Sequence, residues 1–212
     1  MKKSVVGLMV IALVIAAGID GADEEFGFVS LFNGKDLSGW VGDLDGYAAE
    51  NGELICKPGG NLFSVIEYGD FVFRFEFLLP PGGNNGLAVR APIGGGAYNG
   101  MELQILDNPA DEYKNLQPYQ YHGSIYGVVP ARRGFLKPTG EWNEQEVIAR
   151  GRRITVILNG ETIVDADLDE ATKDGPMDHK EHKGLDNEKG HLGFLGHGSV
   201  VKFRNIRIKE LD

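Results

Sequence analysis

Phe71-Val72-Phe73-Arg74-Phe75-Glu76-Phe77-Leu78 places a phenylalanine at every second position. Successive side chains of a strand point to opposite faces, so these eight residues predict a β-strand with an aromatic inner face. The turn cluster Pro80-Pro81-Gly82-Gly83-Asn84-Asn85-Gly86 ends it, and Leu87-Ala88-Val89-Arg90 begins another strand. Residues 71–90 are therefore expected to form a hairpin-like pair. Outward from there, period-2 patterns predict strands at 53–56, 61–66, 100–106, 123–128, 145–150, 153–158, 162–167 and 190–195. Leu158-Asn159-Gly160-Glu161 is the strongest hairpin signal, because Asn-Gly suits the positive φ values of a type I′ turn. From Val200 to Leu211 the alternation changes phase: Val201 and Phe203 share one parity, Ile206 and Ile208 the other. A bulge near Arg204-Asn205 reconciles them. Only Asp169 to Asp174 predicts a short helix. Residues 108–120 and 173–189 read as long loops, of a length that is often functional. There is no internal repeat and no linker, so the chain is expected to be a single all-β sandwich.

The 212 residues suffice for one such domain with a full core. A net charge of −10 argues against a nucleic-acid partner, which needs a basic patch. Lys2 and Lys3 precede an apolar run from Val5 to Gly18, and Asp23-Glu24-Glu25 follows it. This is the layout of a cleaved signal peptide, assigned here to residues 1–22, with the domain at 23–212. The run is too short for a membrane span, which takes about 20 residues, so no span is expected in the mature chain. Export to a periplasm or the medium is expected. Cys56 is the only cysteine, which excludes an internal disulfide.

Tyr98-Asn-Gly-Met-Glu-Leu-Gln-Ile-Leu-Asp107 carries the chemistry. Glu102 and Gln104 share one strand face, and Met101, Leu103 and Ile105 share the other. Asp107 falls with Met101 unless the strand ends or bulges first. A polar row on a β-sandwich is one way to build a sugar-binding cleft.

Several blocks resemble, in order, the 3-keto-disaccharide hydrolase family. They are Phe28 to Trp40, Tyr68-Gly-Asp-Phe71, Asn84 to Arg90, Tyr98 to Asp107, His122 to Gly127, Gly140-Glu-Trp-Asn143, Leu158-Asn-Gly160, and Gly196-His-Gly198 followed by Phe203-Arg-Asn-Ile206. The resemblance spans 28 to 211. It implies a concanavalin A-like jelly roll of two antiparallel sheets. It also implies cleavage of 3-keto-glycosides, sugars oxidised at C3 by a partner dehydrogenase. The C3 ketone acidifies the C2 proton, a base removes it, the C1 oxygen leaves, and water adds back. One departure is Phe194-Leu195, where many members carry Leu-Gln; if that Gln binds sugar, specificity differs here.

On this reading Glu102 and His122 are candidates for general base and acid, in either order, a histidine being suited by its titration near neutrality. Tyr126, expected on the same face as Ser124 and His122, and Arg90 are candidates to stabilise the enolate. Arg90 has the alternative of pairing with Glu102 or Asp107. Gln104, Asn85, Asp107, Trp142 and His197 are candidate substrate contacts. A divalent metal held by Glu102, His122 or His197 would polarise the ketone. His179, His182 and His191 are expected as solvated loop residues, and core packing is the stronger alternative to sugar stacking for Trp142. A non-catalytic carbohydrate-binding module is the alternative reading. An ordinary retaining glucanase would need a second carboxylate about 5–5.5 Å from Glu102.

Overall fold

The computed structural model describes residues 27–212. The expected signal peptide, and residues 23–26 of the expected domain, lie outside the described residues. In chain order the strands are β1 (Val29–Ser30), β2 (Trp40–Gly42), β3 (Tyr47–Glu50), β4 (Glu53–Cys56), β5 (Asn61–Tyr68), β6 (Phe71–Leu78) and β7 (Asn84–Ala91). They continue as β8 (Met101–Leu106), β9 (Trp142–Arg150), β10 (Arg153–Leu158), β11 (Glu161–Asp167), β12 (Gly190–Gly196) and β13 (Val201–Glu210), with one helical turn, α1 (Leu168–Ala171), after β11. They form two antiparallel sheets. The larger has eight strands, in the order β11-β10-β9-β6-β13-β4-β3 with β1 on β13. The smaller has five, in the order β2-β5-β12-β7-β8. Among the described residues no helix is long and apolar enough to cross a membrane.

The aromatic strand is the centre of the core. Phe71, Phe73, Phe75 and Phe77 are all fully buried, each burial being worth roughly 1.5–3 kcal/mol. They face the apolar rows Leu87 and Val89 of β7, and Met101, Leu103 and Ile105 of β8. Phe194 of β12 stacks on Phe203 of β13 across the two sheets, with centroids 3.8 Å apart.

The expected hairpin at 71–90 does not form. β6 pairs with β9 and β13, while β7 pairs with β12 and β8 in the other sheet. Both strands have an apolar face, and each meets the other's face across the core rather than along a ladder. Pro80 to Gly83 is thus a corner between sheets. The Asn-Gly hairpin does form: Asn159 and Gly160 have φ of +51° and +88°, and Leu158 pairs with Glu161. The phase change in β13 is a bulge, with the register shifting between Arg204 and Arg207 and Asn205 at φ +51°. Residues 123–128 are not a strand. Gly123 and Gly127 hold φ near +79° and +78°, and the segment makes only isolated bridges through Ile125 to Leu103 and Val129.

Candidate active site

β8 is the edge strand of the smaller sheet, and its faces divide as alternation requires. Met101, Leu103 and Ile105 enter the core, while Glu102, Gln104 and Leu106 line a cleft of about 340 Å³. The edge of β8 is covered by an irregular segment. Gly123 N donates to Gln104 O at 2.7 Å, Gln104 N to Ser124 O at 3.1 Å, and Tyr126 N to Glu102 O at 2.9 Å. This suture removes an exposed sheet edge and sets Tyr126 beside Glu102 at the cleft. Asn84, Tyr98, Tyr113, Gln120 and His197, with the apolar Ala97 and Leu116, complete the wall.

Glu102 is the sole carboxylate among the described residues that line the cleft. Its side chain is 7% exposed and its Oε1 lies 2.8 Å from Nε2 of His197, which is 39% exposed. The space for the carboxylate is made by Gly86, which pairs with Gln104 on the neighbouring strand. A Cβ at Gly86 would lie 2.1 Å from Glu102 Oε1. With Glu102 as a carboxylate, which cannot donate, the hydrogen between the two groups sits on Nε2, and in the neutral imidazole the lone pair is then on Nδ1.

The polar row above the pair is set up to meet hydroxyls. Gln104 Nε2 donates to Asn84 Oδ1 at 3.2 Å, and Gln104 Oε1 is buried without a partner among the described residues. Tyr126 accepts a hydrogen bond from Gln120 Nε2 at 2.9 Å, which leaves its own O–H to donate.

Residues 27–209 match the model of the 3-keto-alpha-glucoside-1,2-lyase-like domain. The chain belongs to that family. It is 27% identical to the 3-keto-disaccharide hydrolase of Bacteroides thetaiotaomicron over 232 residues, covering 88% of this chain and 79% of that one. Among solved structures it is similar to a provisionally assigned glycosyl hydrolase of Parabacteroides distasonis, with a TM-score of 0.79 and 28% identity over 87% of this chain and 99% of that one. The carbohydrate-binding module CBM66 of Bacillus subtilis shares the fold alone, at a TM-score of 0.53 and 14% identity over 82% of this chain and 97% of that one. The fold is the concanavalin A-like sandwich that the resemblance implied.

The lyase-like domain brings together four of the residues expected at its site: Glu102, Gln104, Tyr126 and His197. It separates the rest. His122 is 1% exposed, with its ring stacked on Phe77 at 5.0 Å and its Nδ1 accepting from Leu106 N at 3.3 Å. Gly123, with its positive φ, breaks the alternation, so His122 turns into the core while Tyr126 faces the cleft. Burial lowers the His122 pKa to about 3, which removes it as a base or acid near neutrality. The trio Glu102, His122 and His197 therefore does not assemble around a metal. Among the described residues no group of three or more His, Cys, Asp or Glu could hold one.

Arg90 is likewise remote from the enolate role. It is 2% exposed and pairs neither with Glu102 nor with Asp107. Its guanidinium donates to Gly69 O at 3.0 Å, Gly151 O at 2.7 Å and Asp70 Oδ1 at 2.9 Å, which ties β7 to the opposite sheet. The larger cavity beside it, about 530 Å³, is lined in part by charges that partner one another, Arg90 with Asp70 and Arg152 with Asp169. Asn85 points into the core, with Nδ2 on Cys56 Sγ at 3.5 Å. Asp107 follows the end of β8 and accepts from Gly82 N at 2.9 Å, a brace for the corner between sheets. Trp142 sits on the larger sheet under the guanidinium of Arg204, 4.1 Å from its ring. Trp40 is in the core, stacked near Phe194. Leu195 is buried beside Phe63, Ala88 and Ala91, away from the cleft lining. His182 and His191 are buried rather than solvated. His182 bonds Asp178 at 3.0 Å, and Nδ1 of His191 lies 2.8 Å from Ser64 O.

Asn84, Tyr98 and Gln120 are cleft residues that the sequence reading passed over. For Asn84 the signal was present: Leu87 and Val89 set the core parity of β7, which puts Asn85 inward and Asn84 outward.

The buried His122 gives a pH prediction. Its folded pKa of about 3 lies below the ordinary 6.5, so the unfolded chain binds the proton more readily. The stability this group contributes is complete above pH 6.5 and is lost as pH falls toward 3. His122→Phe is expected to start less stable, because Leu106 N loses its acceptor. It should then lose less on acidification. Thermal melts of both proteins between pH 7 and 4 check this, and parallel curves would refute it.

Proposed function

We propose that this protein cleaves the glycosidic bond of 3-keto-disaccharides and related 3-keto-glycosides by elimination followed by hydration. The reading rests on one observation above all: a buried carboxylate bonded to an imidazole inside a cleft walled by amides and phenols. The family supplies the substrate class, and the curated relative acts on a 3-keto-disaccharide by name.

In this mechanism the pair offers two acceptors for the C2 proton, Glu102 Oε2 and His197 Nδ1. Loss of that proton puts charge on the C3 oxygen, where Tyr126 donates. The C1–O bond then breaks, its electron pair leaves with the glycosidic oxygen, and that oxygen takes a proton. The ring is left with a C1–C2 double bond conjugated to the ketone. Water adds its oxygen to C1 and a proton to C2, so the net change is hydrolysis. Double displacement is disfavoured, because no second carboxylate lines the cleft among the described residues. Gln104 and Asn84 bind sugar hydroxyls. A dehydrogenase acting at C3 must supply the substrate, and residues 1–22 read as an export signal, which places the reaction outside the cytoplasm in this proposal.

The test is to incubate the mature chain with a 3-keto-disaccharide and its unoxidised parent, and to follow sugar release. Release from the keto substrate alone is expected. A thermal shift on both sugars with no release would make this a binding module instead.

A further inference from the structure

Tyr98 lines the same cleft as Glu102, His197 and Tyr126, and its hydroxyl is held from behind. Lys180 Nζ lies 3.0 Å from the Tyr98 oxygen and 5.2 Å from the ring centroid. An ammonium has no acceptor capacity, so Lys180 donates and the phenol oxygen accepts. The phenol's own hydrogen is donated to Asp178 Oδ2 at 3.5 Å, the long limit of a hydrogen bond, so a closer oxygen in the cleft would take it. Asp178 is fixed through its other oxygen, Oδ1, which takes Lys180 N at 3.0 Å and lies 3.0 Å from His182 Nε2. The His182 ring packs against Tyr98 at 4.7 Å, which fixes the ring plane. Tyr126 is placed in a similar way: its oxygen accepts from Gln120, which leaves its own hydrogen to donate.

We propose that Tyr98 is a second catalytic hydrogen-bond donor to the C3 oxygen of the bound 3-keto sugar, its hydrogen passing from the long Asp178 contact to the substrate, and that Lys180 is the positioning residue that holds the phenol oxygen at the cleft. The inference rests on the keto-glycoside reading above. Tyr98 transfers no proton; it shares one with the oxygen as enolate charge develops, when a fixed donor is worth most. Lys180 is exposed, so its value lies in orientation rather than in its charge. Together with Tyr126 it gives the enolate two donors of the same chemistry, on a connection and a loop of separate origin.

The experiment compares wild type with Tyr98→Phe, Lys180→Met, Lys180→Arg and the Tyr98→Phe/Lys180→Met double variant on a 3-keto-disaccharide, with folding of each verified by its melt. Tyr98→Phe should lower kcat about 10²-fold with KM nearly unchanged. Lys180→Met should lower kcat about ten-fold through misorientation, and Lys180→Arg should restore most of it. In the double variant the Lys180 loss should vanish, because the group it positions is gone. Wild-type kcat in Lys180→Met, or losses that simply add, would overturn the inference while leaving the functional reading intact. A wild-type protein inert on the keto substrate would remove both.

Discussion

Glu102→Gln is expected to lower kcat on a 3-keto-disaccharide by about 10³-fold or more while the protein melts at nearly the wild-type temperature, since a positioned general base or acid contributes about 10²–10⁴-fold. The amide has the shape of the carboxylate and fits the space that Gly86 leaves. It still reaches His197, because an amide can accept from Nε2–H. It cannot take the C2 proton, and it cannot support an imidazolium. Both assignments of base and acid within the pair therefore fail together in this variant, which makes it decisive for the site even though the order within the pair is open. Initial rates at saturating substrate, with a melt on the same preparation, provide the check. Turnover within a few-fold of wild type would remove Glu102 from the chemistry. A collapse of the melt would show instead that the carboxylate holds the fold.

The legibility of this site in the sequence followed the reach of strand parity. Glu102, Gln104 and the bulge near Asn205 were readable because each is decided by alternation within one strand, and the structure keeps those phases. Asn159-Gly160 was readable because a two-residue turn is local chemistry. The errors came where parity was carried through a glycine or across a connection. His122 and Tyr126 are four apart and would share a face on a strand, but Gly123 at positive φ breaks the alternation between them, so one enters the core and the other the cleft. β6 and β7 look like a hairpin because the turn residues between them are good ones; that they belong to opposite sheets is decided by which apolar faces meet, a property of the whole core. Arg90 was drawn toward Glu102 by chemistry alone. Its actual partners, Gly69, Asp70 and Gly151, come from two other connections, and no local pattern names them. His197 illustrates the converse. It was named as a candidate substrate contact, and its partner Glu102, 95 positions earlier, became visible only when β12 and β8 were placed in one sheet.

Gly184→Ala is expected to destabilise the protein by roughly 3 kcal/mol, an overpacking cost combined with a lost backbone hydrogen bond. A Cβ there would lie 2.2 Å from Gly100 N and 2.3 Å from Gly100 Cα, and backbone cannot swing aside as a side chain can. The two connections must part, which breaks the bond from Gly184 N to Tyr98 O, 3.0 Å long in the native fold. Asn187 is drawn away with them, and its Nδ2 holds Arg90 O at 2.8 Å and Asn99 O at 2.9 Å. The damage reaches the cleft because Tyr98 lies on the displaced segment just before β8, so the fraction that remains folded should also turn over more slowly. Gly96→Ala on the same connection is the control. No atom lies within 4 Å of its Cβ position and its φ is unexceptional, so that change should be neutral or slightly stabilising. Urea denaturation reads the difference as a shift in midpoint at constant slope. Equal midpoints for the two variants would mean that residues 173–189 do not brace the cleft. A loss confined to Gly184→Ala would make that stretch a structural part of the site, with Asp178, Lys180 and His182 behind Tyr98 as its working face.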